Sequence, residues 1–237
     1  MNAEEAVAEL RSAADAGRLS GMAHVGIRVD RAIGVSVPHI RRIARRASTD
    51  HPLAMALWDT QIHEARMLAT LVADPAALTE AQMEAWARGL DSWDVGDFAA
   101  DLFAATPARD RTIRAWARRE EPFVKRCAFA MIARRAVSDK AASDASFLRL
   151  FPLIRRAAQD DRNEVKKAVS WALRQIGKRN RALNAAATAE AERLLEAAGR
   201  EVKTAIVMAR TGGAAEDARA RLGRAGGHVR KALARRG

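Results

Sequence analysis

Three nine-residue segments, VGDFAADLF from Val95, VKRCAFAMI from Val124 and VKKAVSWAL from Val165, share one pattern. Each opens on valine and carries apolar or small residues at offsets 3, 4, 7 and 8, the spacing of a single helix face. A weaker fourth copy, VKTAIVMAR, starts at Val202. Successive starts lie 29, 41 and 37 residues apart, within or just below the periods of helical-pair repeats. A helix pair of this kind cannot bury its apolar face alone, so the repeat predicts pairs stacked into a solenoid with one concave surface. Unrelated amphipathic helices in a bundle are the alternative.

The rest of the chain agrees with an all-α reading. There is no tyrosine, β-branched residues are sparse, and alternating patterns are hard to find. Breakers fall locally, as GVSVP at 34–38 and as HP, DP, TP, EP and FP at 51–52, 74–75, 106–107, 121–122 and 151–152. They divide the chain into short helices joined by short loops. Residues 1–210 read as one HEAT-like α-solenoid domain. Residues 211–237, rich in Gly, Ala and Arg, read as a basic C-terminal helix or tail, or as a frayed terminus.

Charge then narrows the partner. A formal charge of +12 over 237 residues favours an anionic partner, nucleic acid first and a membrane surface second. A merely basic, well-solvated surface is the bland reading. No apolar run approaches the roughly 18 residues of a membrane span, and MNAEEAVAEL at the start is not signal-like. A cytoplasmic address follows, nucleoid-associated when the protein is bound to DNA. The single cysteine, Cys127, lies in an apolar helical run and is expected to be a buried, inert thiol. The five histidines show no His-x-x-x-His or Glu-x-x-His pair, so no metal site is expected.

The repeat register exposes a candidate site. With offsets 0, 3, 4, 7 and 8 facing the core, offset 2 lies nearly opposite, and it holds Asp97, Arg126 and Lys167. Within DSWDVGD (91–97), Trp93 stands one turn before Asp97 on the same face, while Asp91, Ser92 and Asp94 suit a helix start. Trp171 lies off its own stripe, with Lys167, Arg174 and Lys178 at helical spacing. Indoles on polar faces mark contact sites; packing against an adjacent repeat is the competing reading. Trp58, Trp86 and Trp116 fit core positions between helices.

These residues carry a family resemblance. LWDTQIHEARMLATLV (57–72), SWDVGD (92–97), FVKRCAFAMI (123–132) and VKKAVSWALRQIGKRN (165–180), in that order, resemble the AlkD-type alkylpurine DNA glycosylases of the DNA alkylation repair family. IGVSVPHIRRIAR (33–45) resembles the family's upstream segment ending in Pro and paired basic residues. The likeness covers roughly residues 33–180. It implies a HEAT-like solenoid that binds duplex DNA in a basic concave cleft and releases cationic N3- or N7-alkylated purines. It implies Asp97 as catalytic carboxylate, Trp93 and Trp171 as cleft tryptophans and Arg126 as the cleft arginine. It also implies a shallow cleft that leaves the lesion in or near the base stack. Where family members carry aromatic residues in the N-terminal helices, this chain has GMAHVGIRVDRAIG (21–34).

The chemistry fits the residue types. An alkylated purine is a cation and leaves without a general acid; the sugar, becoming oxocarbenium-like, needs a fixed carboxylate and an oriented water. Ring faces of Trp93 and Trp171 suit a cationic base or the deoxyribose. Arg126, Lys167, Arg174 and Lys178 suit phosphates, with binding that weakens steeply with salt. No lysine is placed for Schiff-base lyase chemistry, so the expectation is a monofunctional, cofactor-free monomer acting on alkylated duplex DNA. A non-catalytic nucleic-acid-binding module of the same family is one rival, and a solenoid binding an acidic protein is the other.

Overall fold

The computed structural model describes residues 1–197, 215–227 and 232–233. Among them every regular element is a helix. Contacts divide the chain into two units, Met1–Asn184 and Ala185–Gly237. In the first, five helices pack side by side in succession: α3 (Val37–Ala47), α5 (His63–Val72), α7 (Trp93–Ala105), α9 (Pro122–Ser138) and α12 (Asn163–Gly177). A second layer backs them, made of α4 (His51–Asp59), α6 (Glu80–Arg88), α8 (Arg109–Trp116) and α11 (Phe151–Ala157). Helix α1 (Ala3–Ser12) packs on α4 and α5. The short α2 (Gly17–His24) and α10 (Asp144–Leu148) complete the unit, and α13 (Arg181–Ala197) begins at its end.

Local chemistry sets the helix starts. Asn2 with Glu5, and Thr79 with Gln82, form reciprocal capping boxes at α1 and α6. Asp50 accepts from the Leu53 N–H at 2.9 Å and caps α4. Pro38, Pro52, Pro122 and Pro152 sit in the first turns of α3, α4, α9 and α11, where a missing N–H costs nothing. Pro75 and Pro107 fall in the connections.

The valine register holds in packing. Val95, Val124 and Val165 are all buried, as are Ala99, Leu102 and Phe103 on α7, and Cys127, Ala128, Met131 and Ile132 on α9. Phe98, at offset 3, departs from the stripe and is only partly buried. The tryptophans left to the core form an aromatic run between the backing layer and α7. Trp58 stacks on Trp86 at 4.2 Å between centroids, Phe103 lies 6.5 Å from Trp86, and Trp116 meets Phe103 edge-on at 5.5 Å. Burying side chains of this size stabilises by about 1.5–3 kcal/mol each.

Helix α9 is buried on nearly every side, because α6, α7, α8 and α12 all pack on it. Cys127 is fully buried and unpaired, and burial pushes its thiol well above the ordinary range. In the second unit Ala218 and Leu222 of α14 (Ala215–Arg224) form a small apolar cluster with Ala232. The fourth repeat copy, from Val202, lies outside the described residues, as does much of 211–237. No helix among the described residues is long and apolar enough to cross a membrane.

Candidate functional site

Helix α7 begins with Ser92 at the N-cap position, but its hydroxyl makes no cap bond. It donates instead to Asp94 Oδ1 at 2.6 Å, and the Val95 N–H reaches the same oxygen at 2.9 Å. Asp94 Oδ2 faces His63 Nε2 at 2.8 Å. Burial opposes charge on both groups, yet the His63–Asp94 hydrogen bond and mutual attraction win. His63 is held above its ordinary value and Asp94 below its own. Next to His63, the fully buried Glu64 carboxylate accepts from the N–H groups of Ile33, Gly34 and Val35 at 3.0, 2.7 and 3.2 Å. Gly34 cannot carry a side chain: φ is +81° and a Cβ would stand 2.1 Å from the Asp15 carbonyl oxygen. Glu64 thus ties the loop before α3 to the start of α5.

One turn along α7 the arrangement changes. Asp97 Oδ1 accepts from Arg126 Nη2 at 2.8 Å, and Arg126 Nη1 donates to the Glu164 carbonyl at 3.0 Å. One guanidinium from α9 therefore bridges α7 and the first turn of α12. Asp97 Oδ2 accepts no hydrogen bond among the described residues, and the side chain keeps 17% of its exposure. Burial pushes the Asp97 carboxyl above its ordinary value, against Arg126 and Arg134, which favour the charged form.

The other expected residues lie on α7, on α12 and at the C-cap of α12. Trp93 is partly buried, and its indole N–H donates to the Val25 carbonyl at 3.1 Å, fixing the ring against the end of α2. Trp171, also partly buried on α12, carries the Arg134 guanidinium over its ring at 5.1 Å. Lys167 and Arg174 are exposed on α12 and Lys178 is exposed at its C-cap, and Arg174 donates to the Ser170 hydroxyl at 2.6 Å. Arg126 differs from an open groove cation: it is buried, with 5% exposure, and committed to Asp97 and a backbone carbonyl. Periodicity set it opposite the core stripe, but α12 covers that side of α9 as well.

Several residues escaped the sequence reading. Arg134 stands two turns beyond Arg126, with Nε 3.3 Å from Asp101, which is one turn beyond Asp97. Arg41 of α3 lies over the Phe98 ring at 5.7 Å. His63 and Glu64 had a visible signal, namely two ionisable residues opening a helix, HEARMLATLV, in which only Arg66 and Thr70 are otherwise polar. Arg134 had the adjacent-arginine pair in IARRAV, at an interval of eight from Arg126. No group of three or more His, Cys, Asp or Glu suited to a metal occurs among the described residues.

The wider relationships agree with this architecture. No curated protein matches the chain. A solved structure matches with a TM-score of 0.73 and 17% identity, covering 82% of this chain and 83% of that one. It is described as belonging to a new family of proteins related to the HEAT-like repeat DNA glycosylases, with affinity for branched DNA structures. At that identity the likeness establishes the fold, a HEAT-like helical repeat. Residues 6–206 match the family described as DNA alkylation repair enzyme, and the chain belongs to that family.

Proposed function

We propose that this protein is a monofunctional DNA glycosylase that hydrolyses the N-glycosidic bond of cationic N3- or N7-alkylated purines in duplex DNA. The observation that carries the reading is the Asp97 carboxylate. One oxygen is held by a buried arginine and the other accepts no hydrogen bond among the described residues, one helical turn from Trp93. A negative charge fixed in place before reaction is what an oxocarbenium-like sugar requires, because no reorganisation is needed as the charge develops.

The steps follow from charge balance. The C1′–N9 bond breaks and its electron pair leaves with the purine, neutralising the cation already on the base. Asp97 Oδ2 faces the positive C1′ and accepts a hydrogen bond from the incoming water. The water oxygen bonds to C1′, and its proton passes through Asp97 to solvent, leaving an abasic site. Arg126 is a positioning residue: it fixes the Asp97 rotamer and stays in reach of Glu164. Trp93 supplies a ring held still by Val25. Trp171 offers the ring face that Arg134 leaves open. Lys167 and Arg174, exposed along α12, and Lys178 at its C-cap serve phosphates. The protein acts without cofactor or metal, as a cytoplasmic monomer.

Incubation with methylated duplex DNA, followed by identification of free base, tests the assignment. Asp97→Asn should lose roughly tenfold or more in rate while still binding DNA; excision at the wild-type rate by this variant ends it. A second reading rests on the structural neighbour, whose family is described by affinity for branched DNA. On that reading the chain binds DNA junctions through the same face and releases no base from any alkylated substrate.

A further inference from the structure

Helix α7 carries a second acid in line with Asp97. Trp93, Asp97 and Asp101 follow one another at one-turn intervals on one face. Exposure grows along the line, for the Asp97 side chain keeps 17% and that of Asp101 53%. A buried arginine holds Asp97, whereas Asp101 stands between cations from two other helices. Arg134 of α9 brings its Nε to 3.3 Å, an ion pair without a hydrogen bond. Arg41 comes from α3, on the other side of α7. Of the four arginines of α3, Arg46 pairs with Glu9 of α1, while Arg41 turns to α7 and lies over Phe98. Partial burial pushes the Asp101 carboxyl above its ordinary value, and Arg134 and Arg41 both favour its charged form.

Neither guanidinium is used up by these contacts. Arg134 rests on the Trp171 ring at 5.1 Å and Arg41 on the Phe98 ring at 5.7 Å. Among the described residues neither donates a hydrogen bond. Two arginines facing one carboxylate leave a surplus positive charge and open N–H forks, the groups that recognise a phosphate. The ring beneath each guanidinium holds its plane, so less side-chain freedom is lost when an anion arrives. Phe98 explains itself here, since its departure from the core stripe makes it the platform for Arg41.

We propose that Arg41 and Arg134 form a phosphodiester site on the exposed face of α7, and that Asp101 is its internal occupant, giving up the two arginines when a DNA strand enters. This rests on the DNA-binding part of the proposed function and not on its chemistry. The site lies one turn of α7, about 5.4 Å, beyond Asp97. A phosphate seated there flanks the sugar that the proposed reaction brings to Asp97. Asp101 makes the strand compete for its own contacts, so undamaged DNA is held less tightly than the two arginines alone would hold it.

Binding of a short, undamaged, fluorescein-labelled duplex to the full chain, read by anisotropy across a salt series, tests the site. Asp101→Asn should tighten binding roughly threefold or more, and Asp101→Ser should do the same. Asp59→Asn removes an exposed acid from the backing helix α4 and changes net charge equally, yet should leave affinity unaltered. Arg41→Gln and Arg134→Gln should each weaken binding and lower the slope of log K against log salt by about 0.9. With both arginines replaced, the gain from Asp101→Asn should vanish. Affinity unchanged or weakened in both Asp101 variants overturns the proposal. So does an equal gain in Asp59→Asn, a gain that survives loss of both arginines, or failure of wild type and Asp101→Asn alike to bind. The duplex carries no lesion, so the result is independent of base release. Release from methylated DNA without the Asp101 effect leaves the glycosylase reading standing and removes this site, and the Asp101 effect without release does the reverse.

Discussion

Asp94 and Asp97 belong to one turn of one helix, yet their surroundings assign them opposite work. Asp94 has every oxygen engaged, by Ser92, the Val95 N–H and His63. With Glu64 beside it, it fastens α5, α7 and the loop before α3 into one knot. Asp97 is held at one oxygen only, and burial makes its charge costly. A fully satisfied carboxylate is a structural part; a half-satisfied, desolvated one fits the reactive group of the proposed reaction.

The comparison is open to attack, most forcefully at the structural end. Glu64→Ala orphans three backbone N–H groups and should cost about 3–5 kcal/mol of unfolding free energy, read from denaturant midpoints. A loss below about 1 kcal/mol would dissolve the knot. Asp97→Asn should show the converse, a rate loss of about 100-fold with stability within about 1 kcal/mol, because Asn Oδ1 can still accept from Arg126. Asp94→Asn should cost about 2 kcal/mol of stability and lower the rate less than Asp97→Asn does. Equal rate losses in the two variants would erase the distinction.

Acidity sharpens it further. On the glycosylase reading, the raised Asp97 value should put the acid limb of base release above pH 3.8, with release falling as pH drops through that raised value. Stability follows the other pair. The His63 value in the folded protein lies above 6.5, so its contribution is complete below pH 6.5 and is lost as pH rises through the raised value. The Asp94 contribution is present above pH 3.8 and is lost as pH falls through its lowered value. His63→Asn should remove the alkaline decline, as seen in unfolding midpoints between about pH 6 and 9. The smallest effect belongs to the exposed cations. Lys167→Ala, Arg174→Ala and Lys178→Ala should each reduce the slope of log K against log salt by about 0.9 if the residue meets a phosphate.

Much of this was legible in the sequence because the repeat writes its core face as a spacing. Val95, Val124 and Val165 are buried as their register requires, and the offset-2 residues Asp97 and Arg126 meet. What the spacing could not convey was how many helices would cover each face. Arg126 reads as an exposed cation on a two-sided helix, but α9 is enclosed, and the charge survives there through Asp97 and the Glu164 carbonyl. The knot at Glu64 was hidden for a different reason: its partners are backbone N–H groups in a loop 29 to 31 residues earlier, which no side-chain pattern records.

Stacked repeats ordinarily feel only their immediate neighbours, so a disturbance fades within one unit. Arg126 breaks that locality. With one end on α7 and the other on the backbone of α12, it couples next-nearest neighbours across the intervening helix. On the proposed reading, tension on α12 from a gripped phosphate would be delivered to the orientation of a single carboxylate, a mechanical linkage between holding DNA and cutting a glycosidic bond.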